Sequence, residues 1–348
     1  MFTLEKSLLA KAEKASAQFY KIMKKSLKLK SEPLLIICDY GNVESKVAPM
    51  LGYAYYHGAQ KKKHHVDLLF QETKKGFMQA DDHIRQALLA LPQKSVVIVA
   101  VSNKLGRLGT EKSFRGFCKE KQHRFLSATG LHDLRTIHFD ILVESMNVNY
   151  SRLKKKGLQI KKKWDAAKEI RITTKAGTNV TFIVTGKKAI ANIGEYHQLG
   201  EGGNMPAGEV YMPPEGYHGV YGKVVLDGSM KTDEGAVLLD EPVTLIIEKG
   251  RIVSITGKYA YLLEKTLQKY EDRAKYPHRV RHIGELGVGI NPGAVLVGST
   301  IIDEKVLGTA HIAIGSNAWF GGDIKTIFHG DQVFKDPTIY VDGKKMEL

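Results

Sequence analysis

Leu34-Leu35-Ile36-Ile37-Cys38-Asp39 is an unbroken apolar run closed by an acid and introduced by Pro33. It does not alternate, so it reads as a strand buried on both faces, the habit of parallel sheets. Val96-Val97-Ile98-Val99-Ala100-Val101, introduced by Ser95, repeats the pattern. Between them, residues 66–70 read as a third strand and 81–91 as a helix. Upstream, Leu4, Leu8, Ala12, Ala15, Phe19 and Met23 fall at three- and four-residue steps, the spacing of an amphipathic helix. Helices and strands in alternation predict an α/β domain built on an open parallel sheet. Asp39-Tyr40-Gly41-Asn42 would lie at the carboxyl edge of that sheet, where ligands often bind. No G-x-G-x-x-G follows it, which argues against nucleotide binding.

From Glu169 the texture changes. Short β-like runs at 170–174, 180–184, 220–227, 243–248 and 252–256 are separated by glycine turns, predicting a mixed or antiparallel sheet. Helix-like spacing at 259–276 interrupts it, before a glycine-rich stretch over 284–322 and a last strand near 338–341. The chain has 348 residues, against a prior of roughly 100–200 per domain. Two domains are therefore expected, an α/β domain over 1–170 and an α+β domain over 171–348. Arg152 to Lys175, with ten basic and two acidic residues, is the expected junction.

Hydrophobic residues make up 43% and charged residues 26%, enough to bury a core without disulfides. No run approaches the roughly 18 apolar residues that span a bilayer, and the opening Met1-Phe2-Thr3-Leu4-Glu5-Lys6 lacks a signal-peptide layout. A cytoplasmic protein without a membrane partner is the expectation. Cys38 and Cys118 are the only cysteines, so any metal must be held by His, Asp and Glu. The net charge of +15 is uneven: residues 201–348 hold 16 Lys/Arg against 20 Asp/Glu, a net of −4, which leaves +19 to residues 1–200. The runs at 24–25, 61–63, 154–156 and 161–163 lack interleaved aromatics and read as solvated lysine faces rather than a nucleic-acid surface.

Residues that carry chemistry gather in the acidic half. Gly203-Asn204-Met205-Pro206-Ala207-Gly208-Glu209 delivers a carboxylate from a fixed turn to the start of a strand. His282-Ile283-Gly284-Glu285-Leu286-Gly287 puts an acid among glycines and aliphatics, where an unpaired charge is costly and a cation would relieve it. A glycine-rich turn with an exposed acid is the plainer reading of that stretch, and a satisfied core histidine the plainer reading of His282. Asp303-Glu304-Lys305 and Gly308-Thr309-Ala310-His311-Ile312-Ala313-Ile314-Gly315 follow, and a neutral His311 on a metal would resolve its apolar setting. His329-Gly330-Asp331 places two donors at i, i+2, on one face if extended. Nitrogen and oxygen donors without thiolate suit zinc, cobalt, manganese or iron(II), and the excess of carboxylates suits two adjacent ions.

In this order the clusters resemble the aminopeptidase T family of metallopeptidases. Arg171-Ile172-Thr173-Thr174-Lys175-Ala176-Gly177-Thr178 looks like that family's entry strand, and residues 202–213 like its first ligand loop. The resemblance implies a homodimeric metalloaminopeptidase, a hydrolase acting on peptides with a free N-terminus through two divalent ions (zinc, cobalt or manganese). Carried over motif by motif, the metal ligands are Glu209, Glu285, Glu304, His311, His329 and Asp331, with Glu285 as the bridge. A tyrosine that some members carry after the His311 position is missing: the stretch reads Ser316-Asn317-Ala318-Trp319, and the proton donor stays unassigned. The same superfamily includes ring-cleaving dioxygenases of dihydroxypyridines with one iron(II), for which His282, His329 and Asp331 would be the two-histidine, one-carboxylate set. A third reading is a non-enzymatic module that uses the basic first half. Retention of Glu209 and Glu285 favours the two-metal hydrolase over the single-iron dioxygenase, which has little use for two more acids.

Overall fold

The computed structural model describes residues 4–109 and 113–347. Residues 1–3, part of the stretch read for a signal peptide, lie outside them. Among the described residues no helix is long and apolar enough to cross a membrane.

The chain divides into two compact units, residues 1–150 with 194–207, and residues 151–193 with 208–348. In the first, the opening apolar run is the strand Leu34–Asp39, buried along its whole length. It pairs in parallel with Val66–Gln71 on one side and Val96–Ala100 on the other. Arg124–Ala128 and the short strand Gly202–Asn204 extend the sheet, also in parallel. One face packs Leu35, Ile37, Val97 and Val99 against Ile84 and Leu88 of the helix Asp82–Ala90. The N-terminal helix Lys6–Leu27 buries Ala12, Phe19 and Met23, three of the positions its spacing marks.

Asp39 ends the strand Leu34–Asp39, but its carboxylate is already engaged. It accepts from the Ser102 amide at 2.7 Å, the Ser102 hydroxyl at 2.7 Å and the Gly41 amide at 3.1 Å. The acid thus ties the loops at this sheet edge together.

The second unit holds two seven-stranded sheets, all of whose pairings are antiparallel. The expected α/β and α+β classes are both present. One sheet runs through Val220–Leu226 and Asn179–Ile183 to Thr338–Val341. The other carries the candidate ligands except Glu304, which caps the short helix Thr300–Asp303, in the order Ser229–Thr232, His329–Lys335, Thr309–Gly315, Ile283–Gly289, Glu209–Met212 and Ile190–Asn192 from its second strand on. Ile283–Gly289 and Thr309–Gly315 are buried at every position. The glycine-turn reading of residues 284–289 is therefore wrong, because these glycines are central strand positions. A Cβ on Gly284 would come 2.3 Å from the Gly315 carbonyl oxygen, and one on Gly289 would come 2.1 Å from that of Val306.

Candidate metal centre

Strand register puts the acids and histidines on one face. Directly opposed residues of an antiparallel pair share a face, as do residues i and i+2 along a strand. Glu285 opposes Ala313, which in turn opposes Asp331. Gly287 opposes both His311 and Tyr211. Gly289 opposes Glu209, and Gly315 opposes His329. The face thus presents Glu209, Glu285, His311, His329 and Asp331 over a floor of Gly287, Gly289, Ala313 and Gly315. Small residues between the ligands let side chains from separate strands converge.

The convergence has a definite geometry. The two oxygens of Glu285 face different histidines: Oε1 lies 3.4 Å from Nε2 of His311, and Oε2 lies 3.8 Å from Nε2 of His329. His329 Nε2 is 3.5 Å from Asp331 Oδ1, and His311 Nε2 is 3.8 Å from Glu209 Oε2. Two donor groups result, Glu209 with Glu285 and His311, and Glu285 with His329 and Asp331, each with ligand atoms within 4.8 Å of one another. Most of these gaps are too long for hydrogen bonds. They suit donors arranged around a point about 2.0–2.2 Å from each, which sets neighbours roughly 3–3.6 Å apart.

Two further observations fit a cation. The ring nitrogens of His311, at 0% exposure, have no hydrogen-bond partner, and orphaned buried polar atoms are costly. The other histidine is already aimed: Nδ1 of His329 lies 2.8 Å from the Ser316 carbonyl, so it donates there and turns Nε2 toward the acids. The residues present therefore fit a divalent metal.

Charge inside the cluster is divided unequally. Burial raises the Glu285 pKa. For His329 burial acts downward, but the Asp331 and Glu285 carboxylates outweigh it and lift the ring to about 9. Asp331 moves the other way: burial opposes ionisation, yet the His329 imidazolium holds its carboxyl well below the usual range. Burial pushes the Glu304 pKa well above its ordinary value, with the Lys305 ammonium opposing the shift and the Asp331 and Glu209 charges adding to it.

Lys305 is the partner that sequence reasoning left without a role. Its ammonium is fully buried, lies 2.5 Å from Glu209 Oε1 and also bonds Glu304. Burial would lower its pKa, but the Glu209 and Glu304 carboxylates hold it above the ordinary value. Asn192 adds a 3.3 Å hydrogen bond to the same Glu209 oxygen, leaving Oε2 for the site. The signal was present in Asp303-Glu304-Lys305, a cation beside acids in a buried segment. Asp303 itself points away and accepts from the amides of Val297, Gly298 and Ser299 at 2.8–3.0 Å. His282 joins neither donor group; its Nδ1 donates to the His278 carbonyl at 2.9 Å and its ring meets Tyr217 edge-on.

A family model described as NicX, 2,5-dihydroxypyridine 5,6-dioxygenase, matches residues 136–347, the stretch that includes every candidate ligand. The chain belongs to the NicX family. No curated protein matches it in sequence. Among solved structures it is similar to a 2,5-dihydroxypyridine dioxygenase from Pseudomonas putida KT2440, with a TM-score of 0.72 and 18% identity over 98% of this chain and 96% of that one. It is also similar to wild-type AmpT from Thermus thermophilus, with a TM-score of 0.64 and 12% identity over 97% and 98%.

Membership of the NicX family corrects the hydrolase expectation, and with it the aminopeptidase activity and the peptide partner. Both solved structures cover nearly the whole chain, and at 18% and 12% identity the likeness is one of fold. The resemblance to aminopeptidase T holds at the level of that fold.

Proposed function

We propose that this NicX-family chain is a metal-dependent dioxygenase that opens a dihydroxylated, nitrogen-containing aromatic ring. The observation that carries the reading is the family match across residues 136–347, which span the whole metal face. In this reading Glu285, His329 and Asp331 hold one iron(II). The two-histidine set with His282 gives way to one histidine and two carboxylates. Bound iron would supply the one-electron chemistry that lets a spin-paired ring react with dioxygen.

Charge balance favours a single ion. Lys305 pairs with Glu209 and Glu304, and the donor group around His329 holds two carboxylates, Glu285 and Asp331, whose charge one divalent cation neutralises. His311 is then free to act as a base. It is buried and its Nε2 faces the Glu285 carboxylate at 3.4 Å, so it is placed to take the proton of a ring hydroxyl. Overall the reaction adds both atoms of one dioxygen across a ring bond and needs no external reductant.

A second reading keeps the expected pair of ions, with Glu285 shared between them. It is favoured by the second donor group, Glu209 with Glu285 and His311. Metal analysis separates the two: about one ion per chain supports the single centre, and two support the shared one. The test of function is oxygen uptake by iron(II)-loaded protein given 2,5-dihydroxypyridine, with loss of the ring's ultraviolet absorbance. One dioxygen consumed per ring, abolished in Asp331→Asn, supports the proposal; an intact ring with no uptake refutes it.

A further inference from the structure

The metal face has a wall that the ligand set does not use. Trp319 is 61% exposed, an unusual state for the largest apolar side chain, and it lies against a proposed ligand: its ring and that of His329 are 4.7 Å apart at 69°. Phe320 packs edge-on to Trp319 at 5.2 Å, and Tyr211 packs edge-on to Phe320 at 5.3 Å. Because Tyr211 opposes Gly287 in the sheet, this aromatic row runs from the ligand face to the open indole.

The loop that carries the indole is held in place. Asn317 is fully buried; its Nδ2 donates to the Gly284 carbonyl at 2.9 Å and its Oδ1 accepts from the Ile324 amide at 2.7 Å. Gly321, at φ +93°, turns the chain after the short helical turn Ala318–Phe320. A Cβ on Gly322 would meet the Asn317 side chain at 2.0 Å, so the loop closes tightly on that amide. An exposed indole on a fixed loop loses little conformational freedom when it is covered, which is what a binding surface requires.

We propose that Trp319 is a positioning residue, the surface on which the planar aromatic substrate stacks beside the metal. The proposal rests on the ring-opening reading and names the group that selects a flat ring over a saturated one. Offset or edge-on packing against an indole favours aromatic ligands through their quadrupoles as well as through buried area.

The test uses the full chain loaded with zinc(II), which has no redox chemistry and so allows binding without turnover. 2,5-Dihydroxypyridine is titrated anaerobically by calorimetry and by tryptophan fluorescence. The chain has two tryptophans and Trp164 is fully buried, so Trp319 is the one a ligand reaches. Expected are quenching on ring addition, a Kd raised about five- to tenfold in Trp319→Leu, and recovery of most affinity in Trp319→Phe, all at unchanged zinc content. Equal affinity in wild type and Trp319→Leu would overturn the role of Trp319 while leaving the ring-opening reading intact. No binding of the ring by wild type would overturn both. Should Trp319→Leu lose zinc or fail to fold, the wild-type titration decides: quenched indole emission supports stacking, and unchanged emission during calorimetrically detected binding refutes it.

Discussion

The imidazole of His311 lies across Gly287 on the neighbouring strand, so close that a Cβ there would sit 1.9 Å from its Nε2. The two are directly paired in register, and the absent side chain is the space the ring occupies to reach Glu285 and Glu209. Gly287→Ala must therefore displace His311. Ring-opening activity should fall at least tenfold, while a buried strand that keeps its hydrogen bonds loses only about 1–3 kcal/mol from overpacking. Turnover and thermal unfolding measured side by side check this, and normal turnover in Gly287→Ala would show that His311 does not act from this position.

Metal uptake should be pH-dependent, and His329 sets the direction. In the metal-free protein its ring titrates at about 9, above the free value of 6.5, so it is cationic at neutral pH. A metal binds only the neutral ring and must displace that proton. Affinity should rise by about tenfold per pH unit up to pH 9 and then level off. The same shift stabilises the metal-free fold fully below pH 6.5 and is lost as the pH rises through 9. Calorimetry in buffers of different ionisation enthalpy reads the released proton; affinity constant between pH 6 and 8 would contradict the assignment.

Lys305 balances Glu209 in a buried setting. Lys305→Met leaves that carboxylate buried and unpaired, a change that should cost about 3–5 kcal/mol. Adding Glu209→Gln should restore much of the loss, since the pair vanishes together. Denaturant unfolding of the two single variants and the double variant supplies the cycle, and strict additivity would show that the two groups do not interact.

The parallel sheet was legible because residues 34–38 and 96–101 are apolar without alternation, and little but a doubly buried strand accounts for that. The strand Gly202–Asn204 was not, since three small polar residues carry no pattern and their place is set by pairing with Arg124–Ala128. The metal face was half legible. Donor types and the i, i+2 spacing of His329 and Asp331 pointed to it, but Glu285 reads as a turn acid until Gly284, Gly287 and Gly289 are seen as the floor under neighbouring strands. The reaction was the least legible feature. Donor residues in a given order leave the reaction open, and neighbours such as Lys305 against Glu209 and Trp319 beside His329 emerge only from the fold.

The most direct test of the central claim is a single incubation of the iron(II)-loaded chain with 2,5-dihydroxypyridine under ¹⁸O-labelled dioxygen, read by mass spectrometry. The account predicts a ring-opened product carrying both labelled atoms. An unopened ring, or a product labelled only from water, would contradict it.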